Sequence, residues 1–197
     1  MISAHVGGWV RGQLLQLGAI LSRLNLSPNW FTIVGLLLNI VVAVIIGRGN
    51  LILGGVLLLG AGLFDTLDGA VARASGQITR FGGFLDSTLD RYSEAAVYLG
   101  LLVYFQHHDA SHYAIPLVYA TAVGSLMVSY ARARAEAVGI KAEVGLFARA
   151  ERVILLAVLL IFGWEIWAVW ILGILTNVTA LQRVFHVWRV TSKSDQR

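Results

Sequence analysis

Long apolar runs alternate with short polar or glycine-containing breaks along this chain. A helix needs about 20 apolar residues to cross a bilayer. On that measure residues 30–46, 52–73, 84–105, 112–137 and 144–162 predict five spans, and a sixth ends near Trp188. Ser27 can cap the first, with Pro28 in its first turn, and Gly47, Gly49 and Asn50 end it. Residues 75–83 read as a polar turn, and residues 163–165 as a tight one. Residues 4–24 follow a different pattern. Trp9, Leu14, Leu17, Ile20, Leu21 and Leu24 recur at helical spacing among polar positions, which predicts an amphipathic helix lying in the interface. Residues 191–197 form a polar tail, expected to be loose. The fold expected is an all-α integral membrane protein, six transmembrane helices and one interfacial helix in a single domain over residues 1–197.

Composition agrees. Hydrophobic residues make up 57% and charged residues 13%, with mean hydropathy +0.75. That charged share is roughly half of a soluble domain's. The chain has no cysteine, so disulfides and thiolate metal sites are excluded. The first twenty residues lack the pattern of a cleaved signal peptide. No nucleic-acid motif appears. On the span map, every one of the 15 basic residues except Arg48 falls on one side. Positive-inside bias therefore places both termini and that side in the cytoplasm, in the cytoplasmic membrane.

The same side carries the unusual chemistry. The stretch 65–90 reads DTLDGAVARASGQITRFGGFLDSTLD. Asp65 and Asp68 are three apart, and Asp86 and Asp90 four apart, so each pair shares a helix face. Like charges at those spacings repel, and beside lipid each carries a desolvation cost of a few kcal/mol. Hard divalent cations, Mg²⁺ or Mn²⁺, are the expected counter-charge for four carboxylates. Arg73, Arg80 and Arg91 offer a plainer pairing, which accounts for the charges but not for their spacing. Gly69 and Ala72 leave room for a flat ligand, and Arg73 lies one turn past Gly69, within reach of a phosphate.

These positions resemble the signature of the CDP-alcohol phosphotransferase family. Its pattern D-x2-D-G-x2-A-R, then G-x3-D-x3-D, is filled by Asp65, Asp68, Gly69, Ala72, Arg73, Gly82, Asp86 and Asp90. The P-N-x-x-T segment, Pro28 to Thr32, is similar as well. The resemblance implies transfer of a phosphatidyl group from CDP-diacylglycerol to an alcohol, with release of CMP. It implies two divalent ions. Asp65, Asp68 and Asp86 would hold one, and Asp90 would share the second and act as the base. It implies that Asn29, Thr32, Gly69, Arg73 and Thr79 contact the CDP-lipid, although Asn29 also reads as a helix-start residue and Thr79 as a turn residue. It further implies a homodimer in the membrane.

A second stretch bears on the acceptor. Arg132 and Arg134 end the fourth span, and Arg149 and Arg152 share a face early in the fifth. An antiparallel pair of helices would bring these guanidinium groups toward the aspartates, and Arg183 near the end of the last span could join them. Arginine clamps phosphate by paired hydrogen bonds, so the acceptor is expected to carry its own phosphate. Sidedness and pairing with Glu136, Glu143 and Glu151 form the plainer reading, and Arg183 also reads as a snorkelling side chain. Residues 129–152 resemble the bacterial phosphatidylinositol-phosphate synthases, whose acceptor is inositol 1-phosphate. Arg132 stands where that branch has lysine, and Ala148 where it has glutamate. Glycerol 3-phosphate is the alternative acceptor, an ether-lipid donor is open, and a divalent-cation transporter is the reading from another class.

Overall fold

A computed structural model of the chain describes residues 27–76, 78–108, 112–142, 144–145 and 147–194, without the side chains at 67, 68, 70, 73–75, 193 and 194. Among these residues there are six helices and no strand: α1 (Pro28–Gly47), α2 (Leu51–Ser75), α3 (Arg80–His107), α4 (Ala114–Ala137), α5 (Arg149–Ile161) and α6 (Glu165–Ser194). The expected interfacial helix at 4–24 lies outside the described residues. Three helices are long and apolar enough to cross a membrane: α1, α4 and α6 through Ser192; the apolar part of α2 spans only Leu51–Thr66.

Local chemistry sets the helix limits. Pro28 starts α1 after Ser27, which holds extended backbone but makes no side-chain cap bond. The Asn50 side chain accepts from the Leu53 amide and opens α2. Gly76, at φ 67°, ends it in the left-handed conformation that favours glycine. Thr79 then caps α3 by accepting from the Gly82 amide at 2.9 Å. The polar turn therefore spans only the residues between Ser75 and Arg80; Arg80 to Gly83 are already helical. The cap, absent from the hydropathy pattern, moves this boundary.

Two further expectations need correction. The fifth helix begins at Arg149, not at Val144, and has 13 residues. Gly145 sits at φ 121°, and the Arg183 Nε donates to the Val144 carbonyl at 3.0 Å, so this loop is pinned across α6 before a helix can start. At 1.5 Å per residue α5 is about 20 Å long, short of a hydrocarbon core of about 30 Å. The sixth helix continues past Trp188 to Ser194, so residues 191–194 are helical rather than loose. Thr191 stays inside the helix by donating to the Val187 and Trp188 carbonyls.

The helices close a ring in the contact order α1, α2, α5, α6, α4, α3 and back to α1. Ile46, Leu58, Leu101, Val118, Leu160, Val169 and Leu172 fill its core. The outer surface carries Leu37, Val41, Ile115, Leu126 and Leu181, exposed apolar side chains suited to lipid. Missing side chains permit the closest crossings: a Cβ on Gly100 would stand 2.4 Å from the Ala43 carbonyl oxygen. Gly60, by contrast, has nothing within 4 Å. Gly100→Val should therefore cost about 2 kcal/mol or more through forced separation of α1 and α3. Gly60→Ala should be neutral or gain up to about 1 kcal/mol. Thermal melts in detergent check both; equal melting points would contradict the crossing.

Candidate active site

The last third of α2 and the first turns of α3 carry the four aspartates to one end of the ring. Asp65 lies against α1 where Gly35 leaves space. A Cβ on Gly35 would come 2.5 Å from the Asp65 Oδ1. Arg149, the first residue of α5, reaches between the two carboxylate helices. Its Nη2 stands 2.8 Å from Asp65 Oδ2 and its Nη1 2.9 Å from Asp90 Oδ1. Both carboxylates are only 16% exposed, so this bridge acts where water screens it poorly. Arg91 adds a looser contact, Nη1 to Asp90 Oδ2 at 3.6 Å. The Arg149 Nε is buried with no acceptor.

Asp65, Asp86 and Asp90 lie within electrostatic reach of one another. Among the described residues, which leave out the Asp68 side chain, no three carboxylates or imidazoles are gathered closely enough to hold an ion as they stand. The chemistry of the donors nevertheless suits a hard divalent cation: they are all oxygen, and two of them, Asp65 and Asp90, are largely withdrawn from water and already drawn around one positive group.

Beside the aspartates is a cavity of about 270 Å³ between α1, the end of α2 and the start of α3. Pro28, Asn29, Thr32, Gly69, Ala72, Ile78, Thr79, Gly82, Gly83 and Asp86 line it. Four of the five residues expected to meet the CDP-lipid thus share one wall; the side chain of the fifth, Arg73, is not described. Gly82 keeps the wall open. A Cβ there would stand 2.9 Å from Thr79 Oγ1 and 3.2 Å from Asn29 Oδ1. Thr79 is a helix cap, which is its plainer reading.

The arginines do not meet as one open clamp. Arg149 holds the aspartates. Arg152 is 1% exposed and grips Glu94, with Nε to Oε1 at 2.8 Å and Nη2 to Oε2 at 3.0 Å. Arg183 is buried, donating to the carbonyls of Val144 and Val128 at 3.0 and 2.7 Å, so it does not snorkel to the surface. Arg132 is exposed and pairs with Glu136, one turn on, at 2.8 Å, and Arg134 is exposed. Arg132 and Arg152 both lie within electrostatic reach of Arg183.

Sequence reasoning missed Glu94 and Gly35. Glu94 had a signal: it extends the Asp86–Asp90 register by one more turn. Gly35 had none, because its role depends on which helix packs beside Asp65.

The profile of the CDP-alcohol phosphatidyltransferase family matches residues 25–187. This chain belongs to that family. Family membership makes it a phosphatidyltransferase-class enzyme and sets aside the cation transporter. Among its relatives is the archaetidylinositol phosphate synthase of Pyrococcus horikoshii. It is 36% identical over 178 residues, 90% of this chain and 92% of that protein. The crystal structure of Mycobacterium tuberculosis phosphatidylinositol phosphate synthase with manganese and citrate is similar at TM-score 0.84 and 32% identity, covering 89% of this chain and 88% of that one. The structure of the same protein with CDP-DAG bound matches at TM-score 0.83 and 32% identity, covering 89% and 93%.

Gly35→Ala must push the Asp65 carboxylate away from α1 and strain its bond to Arg149. CMP release should fall at least tenfold while a thermal melt still reports a folded protein. Unchanged turnover would contradict the fit between Gly35 and Asp65.

Proposed function

We propose that this chain transfers the phosphatidyl, or ether-lipid equivalent, group of a CDP-linked lipid to inositol 1-phosphate, releasing CMP. One observation carries the reading. The cavity that gathers Asn29, Thr32, Gly69 and Thr79 opens beside Asp86 and the Arg149-bridged Asp65–Asp90 pair. A nucleotide diphosphate seated there places its phosphates next to the carboxylates. Relatives named for inositol phosphate transfer, archaeal and bacterial, support the acceptor, and the manganese and CDP-DAG complexes of the M. tuberculosis protein support the metal and the donor.

Asp65, Asp68, Asp86 and Asp90 would hold two divalent ions, Mg²⁺ or Mn²⁺. When bound, such ions neutralise the diphosphate and favour departure of CMP. The remaining work falls to the chain itself. Gly69 and Gly82 admit the nucleotide, and Arg73, Thr79, Asn29 and Thr32 orient it. An Asp90 carboxylate oxygen takes the proton of the acceptor hydroxyl. The hydroxyl oxygen bonds to the phosphorus that carries the lipid, and the bond from that phosphorus to the CMP oxygen breaks. Arg149 is the acceptor-phosphate residue nearest the base. Arg132 and Arg134, exposed, and the charge of Arg183 set the positive potential that draws an anionic acceptor to this end of the ring, while Arg152, paired with Glu94, holds the scaffold.

Six crossings, the fifth made by the short α5 together with the chain that leads into it, with the site and both termini in the cytoplasm, complete the reading. Its support is charge: Arg48 sits at the α1–α2 turn, and the other described basic residues lie toward the opposite end. The chain acts as one membrane domain, and as a homodimer by analogy with its family.

Two experiments test this. Purified protein offered labelled CDP-diacylglycerol, a divalent ion and a panel of acceptors should use inositol 1-phosphate at least tenfold better than glycerol 3-phosphate or free inositol. Preference for glycerol 3-phosphate would reassign the acceptor. Asp90→Asn should lower kcat by 100-fold or more while CDP affinity changes by less than threefold. Wild-type kcat would remove Asp90 as the base.

A further inference from the structure

α5 carries Arg149 at its first position; Arg183 holds the loop before it at Val144, but little in α5 itself directs its first turn toward α3. The preceding residue, Ala148, makes no side-chain cap bond, and the helix has only 13 residues. The loop before it contains a left-handed glycine. The firmest side-chain tie between this turn and α3 below the aspartates is the Arg152–Glu94 pair. Both guanidinium nitrogens facing Glu94 are engaged, at 2.8 and 3.0 Å, and the remaining Nη1 faces the Phe147 carbonyl at 3.4 Å. One side chain thus links α3, the loop and the first turn of α5.

Glu94 lies one turn beyond Asp90 on α3, and Arg152 one turn beyond Arg149 on α5. The two ionic contacts are therefore rungs between the same two helices. Beneath them is a void of about 20 Å³ lined by Asn39, Leu58, Val97, Tyr98 and both arginines. The space is small, and Arg152 itself is 1% exposed, so water screens the pair poorly. The Tyr98 hydroxyl facing this region bonds Ser125 at 2.9 Å and also lies within hydrogen-bonding reach of Glu94, so it supports the carboxylate that holds Arg152. No other carboxylate is bonded to Arg152 among the described residues.

We propose that Glu94, outside the eight-position signature, is a positioning residue of this active site: its two-pronged hold on Arg152 sets the first turn of α5 and thereby places Arg149 between Asp65 and Asp90. The proposal rests on the functional reading for what the aspartates bind, but its test needs no acceptor and no turnover.

Mn²⁺ titration of the full chain in lipid nanodiscs, read by electron paramagnetic resonance, reports the placement. Arg149→Ala removes a cation that competes for Asp65 and Asp90, and should tighten Mn²⁺ at least fivefold. Glu94→Met/Arg152→Met removes both buried charges together, so its melting temperature should stay near wild type. Freed from its rung, Arg149 should leave the aspartates, and this variant should tighten Mn²⁺ by a similar factor. Adding Arg149→Ala to it should change little further, because both act through one contact. Glu94→Asp, which keeps the charge, should remain within twofold of wild type. If the double variant does not fold, Glu94→Gln carries the same comparison with a smaller shift. Wild-type Mn²⁺ affinity in the Glu94 variants, or full additivity with Arg149→Ala, would overturn the proposal and leave the pair a packing feature. Failure of the functional reading would show separately, as a wild type that releases no CMP with any acceptor.

Discussion

Carboxylates at the edge of a bilayer need a positive partner, and the bridge from Arg149 to Asp65 and Asp90 supplies one. Breaking an ion pair this far from water costs more than breaking its surface counterpart, because the charge left behind is unpaired. The rest of the architecture serves that meeting. α2 and α3 bring the aspartates to one end, α1 offers a glycine where Asp65 must fit, and α5 starts late enough for its first residue to reach both. On the function proposed above, divalent ions would sit in the same place. The guanidinium that stabilises the carboxylates would then compete with an ion.

The arginines divide by what they touch. Arg152 and Arg183 are buried and bound to groups within the fold, Glu94 in one case and two backbone carbonyls in the other. Breaking the first pair by removing one partner would strand a charge, at a cost of about 3–5 kcal/mol. Arg132 and Arg134 are exposed and able to meet a soluble ligand first. A cluster that looks uniform in sequence thus divides into buried structural contacts, exposed charges and one bridge between aspartates.

Much of this was legible from residues alone. The carboxylate spacing pointed to the end of the ring where the cavity and the Arg149 bridge lie, and hydropathy placed α1 and α2 within about two residues at each end, because both obey the apolar period and end at Gly47 and Gly76. The late start of α5 was not legible, since it depends on the contact of Arg183 with the Val144 carbonyl, 39 positions away. Nor was the early start of α3, set by one threonine cap. Arg149 was expected to reach for a phosphate, yet what it holds is the aspartates themselves. Sequence shows that opposite charges lie near each other, but it does not show which pair closes.

The most direct measurement is anomalous diffraction at the manganese edge from crystals grown with Mn²⁺ and CDP. The account predicts peaks among Asp65, Asp68, Asp86 and Asp90, with CDP along Gly69 and Gly82 and the Arg149 bridge opened. An undisturbed Arg149 bridge, with manganese bound elsewhere, would contradict it.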